Sequence, residues 1–324
     1  MTLDLPLGYR FRPARPDDAA AVARVLAAAE LADAGKAETT TEQVLSDWED
    51  VDLADEAAVL VGPDGDIVAS VDLVNRSYMS VSVYGYVHPD HRGKGIGRVL
   101  IDWGERWTEE RMHRAPGDAR IVVQHFQRST NETFKGLLER SGYTPVRGYY
   151  TMETDLDAPP PAPDWPEGIT VRTHQPGQDE RTTYEAVEDS FRDLWGRPKN
   201  TFERFLRLAQ GESFDPTLWF LALDGDQVAG ICLCKFVGDQ AIVETLGVLR
   251  PWRNRGLGLA LLLHSFGVFW QRGKRNVWLS VDAESLTGAP RLYGRAGMHV
   301  TGHYIMHQKE LRAGVDYSQH LVEA

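Results

Sequence analysis

The stretch VHPDHRGKGIG, Val87 to Gly97, follows an apolar run, VSVYGYV, and precedes a segment in which Ile96, Val99, Leu100, Trp103 and Trp107 recur at helical spacing. Its proline closes the strand and its glycines permit a tight turn, so the order predicted is strand, glycine-rich turn, helix. A strand that ends at such a turn leaves several backbone N–H groups aimed at one point, with the positive end of the helix dipole behind them. That arrangement suits a phosphate. Gly93, Gly95 and Gly97 let backbone approach an anion, while His91, Arg92, Lys94 and Arg98 add positive charge; Val87 and Ile96 border the turn.

The stretch occurs twice. VLRPWRNRGLG, Val248 to Gly258, repeats it 161 residues later, with Arg253, Arg255, Gly256 and Gly258 in the same roles and Val248, Leu257 and Leu259 around them. Working outward, Gly8-Tyr-Arg-Phe-Arg12 matches Gly168-Ile-Thr-Val-Arg172, and Asp64-Gly65-Asp66 matches Asp224-Gly225-Asp226, both 160 residues apart. LLERSGY and LYGRAGM end the two copies. Four landmarks in one order mark an internal duplication. Five prolines in DAPPPAPDWPEG separate the halves, which predicts domains over 1–157 and 165–324 joined by a linker over 158–164. A length of 324 residues agrees with two domains. Within each half, arginine-bearing entry strands lead into helices near 17–30 and 178–192. The Asp-Gly steps predict hairpins, and VSVYGYVHP and AIVETLGVL read as central strands.

Composition excludes several classes. Hydrophobic residues are 42% and charged residues 25%, as in an ordinary globular chain. With 35 basic and 47 acidic side chains the net charge is −12, which repels nucleic acid and anionic membranes, so an anionic ligand must be held by local donors. Cys232 and Cys234 alternate in an apolar strand and lack zinc or redox spacing; no His/Cys cluster is present, and His303 and His307 fall four apart in a strand, too far to chelate. No metal is expected. MTLDLPLGYRFRP lacks the features of a leader, and no run of 18 apolar residues occurs, so a cytoplasmic protein is expected. Neither loop reads G-x-G-x-x-G or G-x-x-x-x-G-K-[ST], which demotes dinucleotide and nucleoside triphosphate folds.

The first loop resembles the acyl-coenzyme A pyrophosphate loop of the GCN5-related N-acetyltransferases (GNAT), V-x-P-x-x-[QR]-x-x-G-x-[GA], over its full length. The second departs by one step, with Pro251 one residue late. The resemblance covers nearly the whole chain, and two such domains in tandem are similar to the tandem acetyltransferases of the mycothiol synthase type. It implies an α/β (α+β) fold of two GNAT-type domains, each with a mixed, mostly antiparallel central sheet flanked by helices. It also implies acetyl-coenzyme A, or another acyl-coenzyme A, as co-substrate, and a small-molecule primary amine as acceptor. A monomer is compatible with this organisation, since the halves can form a pseudo-dimer; the oligomeric state is not fixed by it.

Acyl transfer from a thioester requires a neutral amine, donors for the carbonyl oxyanion and a hydrogen bond for the departing thiolate. The resemblance places a Tyr for the thiolate in a late helix. The second half has Tyr293 there; the first has Leu138, which cannot donate. Because a phenol is a weaker acid than a thiol by about 1.5 units, hydrogen bonding is the role expected of Tyr293 rather than full proton transfer. The family's Asn beside the pantetheine arm is matched by Asn131 in the first half and by Ser285, with shorter reach, in the second. For the amine proton, Glu244 in AIVETLGVL shares strand parity with Val248 and is expected on its face; Val83 stands at the corresponding step of the first half. The alternatives are a core aromatic for Tyr293 and a salt-bridged rim residue for Glu244. The segment 189–214, with Asp189, Asp193, Trp195, Phe202 and Phe205, is expected to shape the acceptor pocket. The leading expectation is a catalytic second half and a degenerate first half. A non-catalytic acyl-coenzyme A sensor and a pseudo-symmetric interaction scaffold are the competing classes.

Overall fold

A computed structural model describes residues 4–37, 39–49, 51–192, 201–211, 214–285 and 288–317. Two compact units divide the chain, the first made of 1–147 with 304–317 and the second of 148–303.

In the first unit the order is β1 (Arg10–Pro13), α1 (Ala19–Ala34), α2 (Thr41–Asp47), β2 (Ala57–Val61), β3 (Ile67–Arg76), β4 (Ser80–Val87), α3 (Ile96–Arg111), β5 (Ile121–Arg128), α4 (Glu132–Arg140) and the start of β6 (Thr144–Asp155). The second runs from the rest of β6 through β7 (Ile169–Thr173), α5 (Glu180–Ser190), α6 (Phe202–Leu208), β8 (Trp219–Asp224), β9 (Gln227–Val237), β10 (Gln240–Val248), α7 (Leu257–Gln271), β11 (Asn276–Asp282), α8 (Ala289–Arg295) and the start of β12 (His299–Arg312).

The strands belong to one 12-stranded sheet, and within each unit neighbouring strands pair antiparallel except at one place. β4 pairs parallel to β5 only over Ser80–Ser82, and β10 pairs parallel to β11 only over Gln240–Ile242. Beyond those three residues the strands part, which opens a V in each unit. The Asp-Gly hairpins join β2 to β3 and β8 to β9, with Gly65 and Gly225 at positive φ as such turns require. The repeated arginines of the entry strands also have a physical account. Arg12 grips Asp18 through Nη1 and Nη2 at 2.7 and 2.8 Å, and Arg172 grips Asp179 in the same bidentate way. In both pairs the guanidinium hydrogen bond holds the carboxyl below its ordinary range.

The division expected at 157 and 165 is corrected by the last strand of each half. Tyr304–Arg312 of β12 pairs with β5 and completes the first unit, while Tyr149–Asp155 of β6 pairs with β11 and completes the second. The copies have exchanged closing strands. The pairing is between strands far apart along the chain, so the residues beside the linker do not decide the partner.

Helices cover both faces of the strands in each unit. In the first unit α3 and α4 bury Val71, Leu73, Val83, Leu100, Val123 and Leu138, and α1 and α2 pack on Ala57 and Val59. In the second, α7 and α8 cover Cys232, Cys234, Val243 and Leu279, and α5 and α6 cover Leu221, Ile231 and Leu233. The two thiols lie 3.6 Å apart in this core, where burial pushes Cys234 well above its ordinary value. They are packing residues, as expected.

Candidate active site

The two glycine turns have the same backbone. Arg92 and Arg253 have φ/ψ of −68/159° and −65/157°, and the N-cap glycines Gly95 and Gly256 have 83/−6° and 85/−8°. Asn254 adopts φ 62° where the first loop has Gly93 at 76°; Asn is among the few residues that enter this region readily. The displaced proline is accommodated because each loop begins with one turn of 3-10 helix, in which Pro89 is the first residue and Pro251 the second. Neither position needs its N–H inside the turn. No side chain caps α3 or α7. The glycines divide in role. A side chain on Gly93, Gly95 or Gly256 would meet nothing within 4 Å, so these serve backbone conformation, whereas a Cβ on Gly97 or Gly258 would press on Leu137 or Leu292 at 3.0 Å. The last pair lets the next helix pack.

Several cationic side chains are engaged differently from expectation. Arg92 and Arg253 donate from Nε to the carbonyls of Val87 and Val248 at 3.3 and 3.0 Å, tying each loop to its strand. Arg98 bonds Asp102 and Ser141, and Lys94 Nζ bonds the Asp90 carbonyl. Ile96 and Leu257 have core side chains and offer only backbone to a ligand; Leu259 is half-buried and Arg255 exposed. An anion here is served chiefly by the uncapped helix N-terminus.

The strands leading into the loops differ. β4 has eight residues and pairs with β3 in unbroken register; β10 has nine, and its register with β9 shifts between Val243 and Thr245. Glu244 is the extra residue of a β-bulge. This corrects its expected face. Val243, Leu246 and Val248 all lie on the α7 side, so the bulge interrupts alternation and leaves Glu244 on the α5 side, opposite Val248. There it is exposed and ion-paired to Lys235 Nζ at 2.8 Å. Val83 therefore corresponds to Val243, both buried against the long helix, and Glu244 has no counterpart in the first unit. The signal was present in the change of repeat offset from 160 to 161, which falls within this strand.

Tyr293 sits in α8, nearly buried, packed in the core beside Cys232; burial first and that thiol second push its phenol well above the ordinary value. Leu138 occupies the matching place in α4, fully buried. The Asn131–Ser285 match does not hold. Asn131 is the N-cap of α4, its side chain accepting from Phe134 N at 2.9 Å, whereas the N-cap of α8 is Gly288, three residues beyond Ser285.

Sequence reasoning missed Ser190. A Cβ on Gly247 would lie 2.6 Å from its Cβ, so Gly247 lets the end of α5 close on the bulged strand. Arg253 Nη2 donates to the Ser190 carbonyl at 3.1 Å, and Ser190 Oγ is buried with no partner among the described residues. A polar hydroxyl is thus left beside the bulge. Of the expected acceptor segment, Phe205 is core and Phe202 is partly buried against it, while Asp193 and Trp195 lie outside the described residues. Among the described residues no cluster of three or more His, Cys, Asp or Glu could hold a metal, and no helix is long and apolar enough to cross a membrane.

Comparison with known proteins agrees with this geometry. Residues 181–298 match the acetyltransferase (GNAT) family model, and residues 55–145 match a GNAT domain model. A mycothiol acetyltransferase of Thermobispora bispora is 31% identical over 65% of this chain and 70% of its own. The chain belongs to the GNAT acetyltransferases. It is therefore an acyltransferase, in a family whose acyl donor is acetyl-coenzyme A. A GNAT crystal structure from Sphaerobacter thermophilus is 51% identical with a TM-score of 0.86, covering 97% of this chain and 99% of that one. A tandem GNAT protein of the clavulanic acid pathway, 15% identical, shares the fold at a TM-score of 0.70 over 95% of this chain and all of that one.

Proposed function

We propose that the second unit transfers an acyl group from acyl-coenzyme A to a primary amine of a small molecule by direct attack, and that the first unit is not catalytic. The observation that carries this reading is the β-bulge at Glu244, present in β10 and absent from β4. Around it stand the loop Val248–Gly258, Tyr293 and Ser190.

Coenzyme pyrophosphate meets the N-terminus of α7, with Gly256 and Gly258 as its backbone cradle, and the thioester extends into the V between β10 and β11. The neutral amine attacks the carbonyl carbon. The carbon–sulfur bond then breaks, its electron pair leaves on the coenzyme thiolate, and that thiolate takes up the second proton, which the attacking nitrogen sheds as the amide forms. Glu244, exposed beside Lys235, draws in the ammonium form and receives its proton directly or through water. Tyr293 donates a hydrogen bond to the developing thiolate; a phenol raised by burial keeps its proton and so remains a donor. Mycothiol acetyltransferase relatives support a small-molecule acceptor over a protein one.

The test is Tyr293→Phe, which keeps the ring and removes one transition-state hydrogen bond. Turnover should drop by roughly 10²- to 10³-fold with acetyl-coenzyme A affinity unchanged. Unchanged turnover in this variant would move the active site elsewhere.

A further inference from the structure

Asp33 lies in the last turn of α1, a turn with no basic side chain. A carboxylate there faces the negative end of the helix dipole and needs a cation from elsewhere. Arg92 supplies it, donating from Nη1 to Oδ1 at 2.6 Å and from Nη2 to Oδ2 at 3.0 Å. The same Oδ2 accepts from Asn131 Nδ2 at 2.9 Å. Both donors are themselves anchored, Arg92 to the Val87 carbonyl and Asn131 as the N-cap of α4.

One carboxylate thus joins the glycine loop, the start of α4 and the end of α1. The β4–β5 ladder stops at Ser82 and Gln124, so the V widens toward the loop on one strand and α4 on the other. At its mouth those two walls are held one carboxylate apart. We propose that Asp33 is a built-in stopper that decides coenzyme occupancy in the first unit. This rests on reading the loops as acyl-coenzyme A sites. A coenzyme with its pyrophosphate on Gly93–Gly97 and its pantetheine arm passing Asn131 must first expel the Asp33 carboxylate, an internal anion already held at that mouth by Arg92 and Asn131. The two loops, equal in backbone, therefore fill unequally, the second first.

The experiment is calorimetric titration of the full-length chain with coenzyme A, for wild type, Asp33→Ala and Asp33→Asn, with thermal melts to confirm folding. Wild type should show one site. Asp33→Ala should show two, the new one at least about ten-fold tighter than the weakest binding at which the wild-type titration would still register a second site. Asp33→Asn, which keeps a carbonyl for Asn131 and removes the charge, should show the same site with a smaller gain, and it carries the test if the alanine variant is unstable. Adding Gly93→Asp to Asp33→Ala puts a carboxylate on the first loop at a φ that Asp tolerates, and should restore one site. Two sites in wild type, or one in both folded Asp33 variants, would overturn the stopper while leaving the loop reading intact. No site in any variant would overturn both.

Discussion

Deleting Glu244 would convert β10 into a strand of the length and register of β4, and the first unit shows that this strand folds. The stability change worked from the contacts is near zero. The deletion removes an exposed ion pair to Lys235, worth about 0–1 kcal/mol for a pair this open to solvent, and restores a continuous ladder with β9, worth about 0.5–1.5 kcal/mol for one net hydrogen bond. The terms oppose, so the melting midpoint should move by no more than roughly 2–4 °C. Activity should behave otherwise. Loss of the carboxylate removes a contribution on the order of 10² or more, and straightening the strand shifts the backbone beside the thioester by about an ångström, enough for roughly another 10². Steady-state release of free thiol, measured with acetyl-coenzyme A and an active amine, should therefore fall by at least about 10³ for the deletion and by about 10² for Glu244→Gln, which keeps the bulge. Turnover of the folded deletion variant within about three-fold of wild type would refute the reasoning. Equal losses in the two variants would show that bulge geometry adds nothing to the carboxylate.

Two further outcomes are expected. His125, buried in β5 between Tyr143 and Phe134, is held down to about 3 mainly by burial, so in acid the unfolded chain takes a proton that the folded one refuses. Its contribution is intact above about pH 6.5 and is lost as pH falls toward 3, in total roughly 4–5 kcal/mol. Asp72, raised by burial to about 7, has the opposite sign, favouring the fold as pH falls from 7 toward 4. Denaturant titrations of His125→Leu, which copies Leu279 of the second unit, should show a stability advantage over wild type that grows steadily below pH 6.5; a pH-independent difference would contradict this. Separately, residues 1–157 alone should lack a cooperative thermal transition, because β5 loses the Tyr304–Arg312 ladder that closes the first unit. Co-expression with 158–324 should restore it, and a sharp transition in the isolated fragment would show that the exchanged strand is dispensable.

The duplication, the two glycine turns, the hairpins and the contrast between Tyr293 and Leu138 were legible in the sequence because each depends on residues close together along the chain. Glycine at positive φ, apolar periodicity and a turn dipeptide act over a few residues, so pattern and conformation coincide. Even the bulge left a trace, one inserted residue in the repeat. Its effect did not, because strand parity assumes an unbroken ladder, and a single extra residue turned Glu244 to the opposite face from Val248. The closing strands escaped for a related reason. The partners of β6 and β12 are set by pairing between strands far apart along the chain, which local sequence does not encode. Asp33 is the extreme case, an acid at the wrong end of a helix whose meaning appears only when folding brings Arg92 and Asn131, 59 and 98 residues away, onto the same carboxylate. Local sequence set which elements form, and tertiary structure decided which of their charges meet.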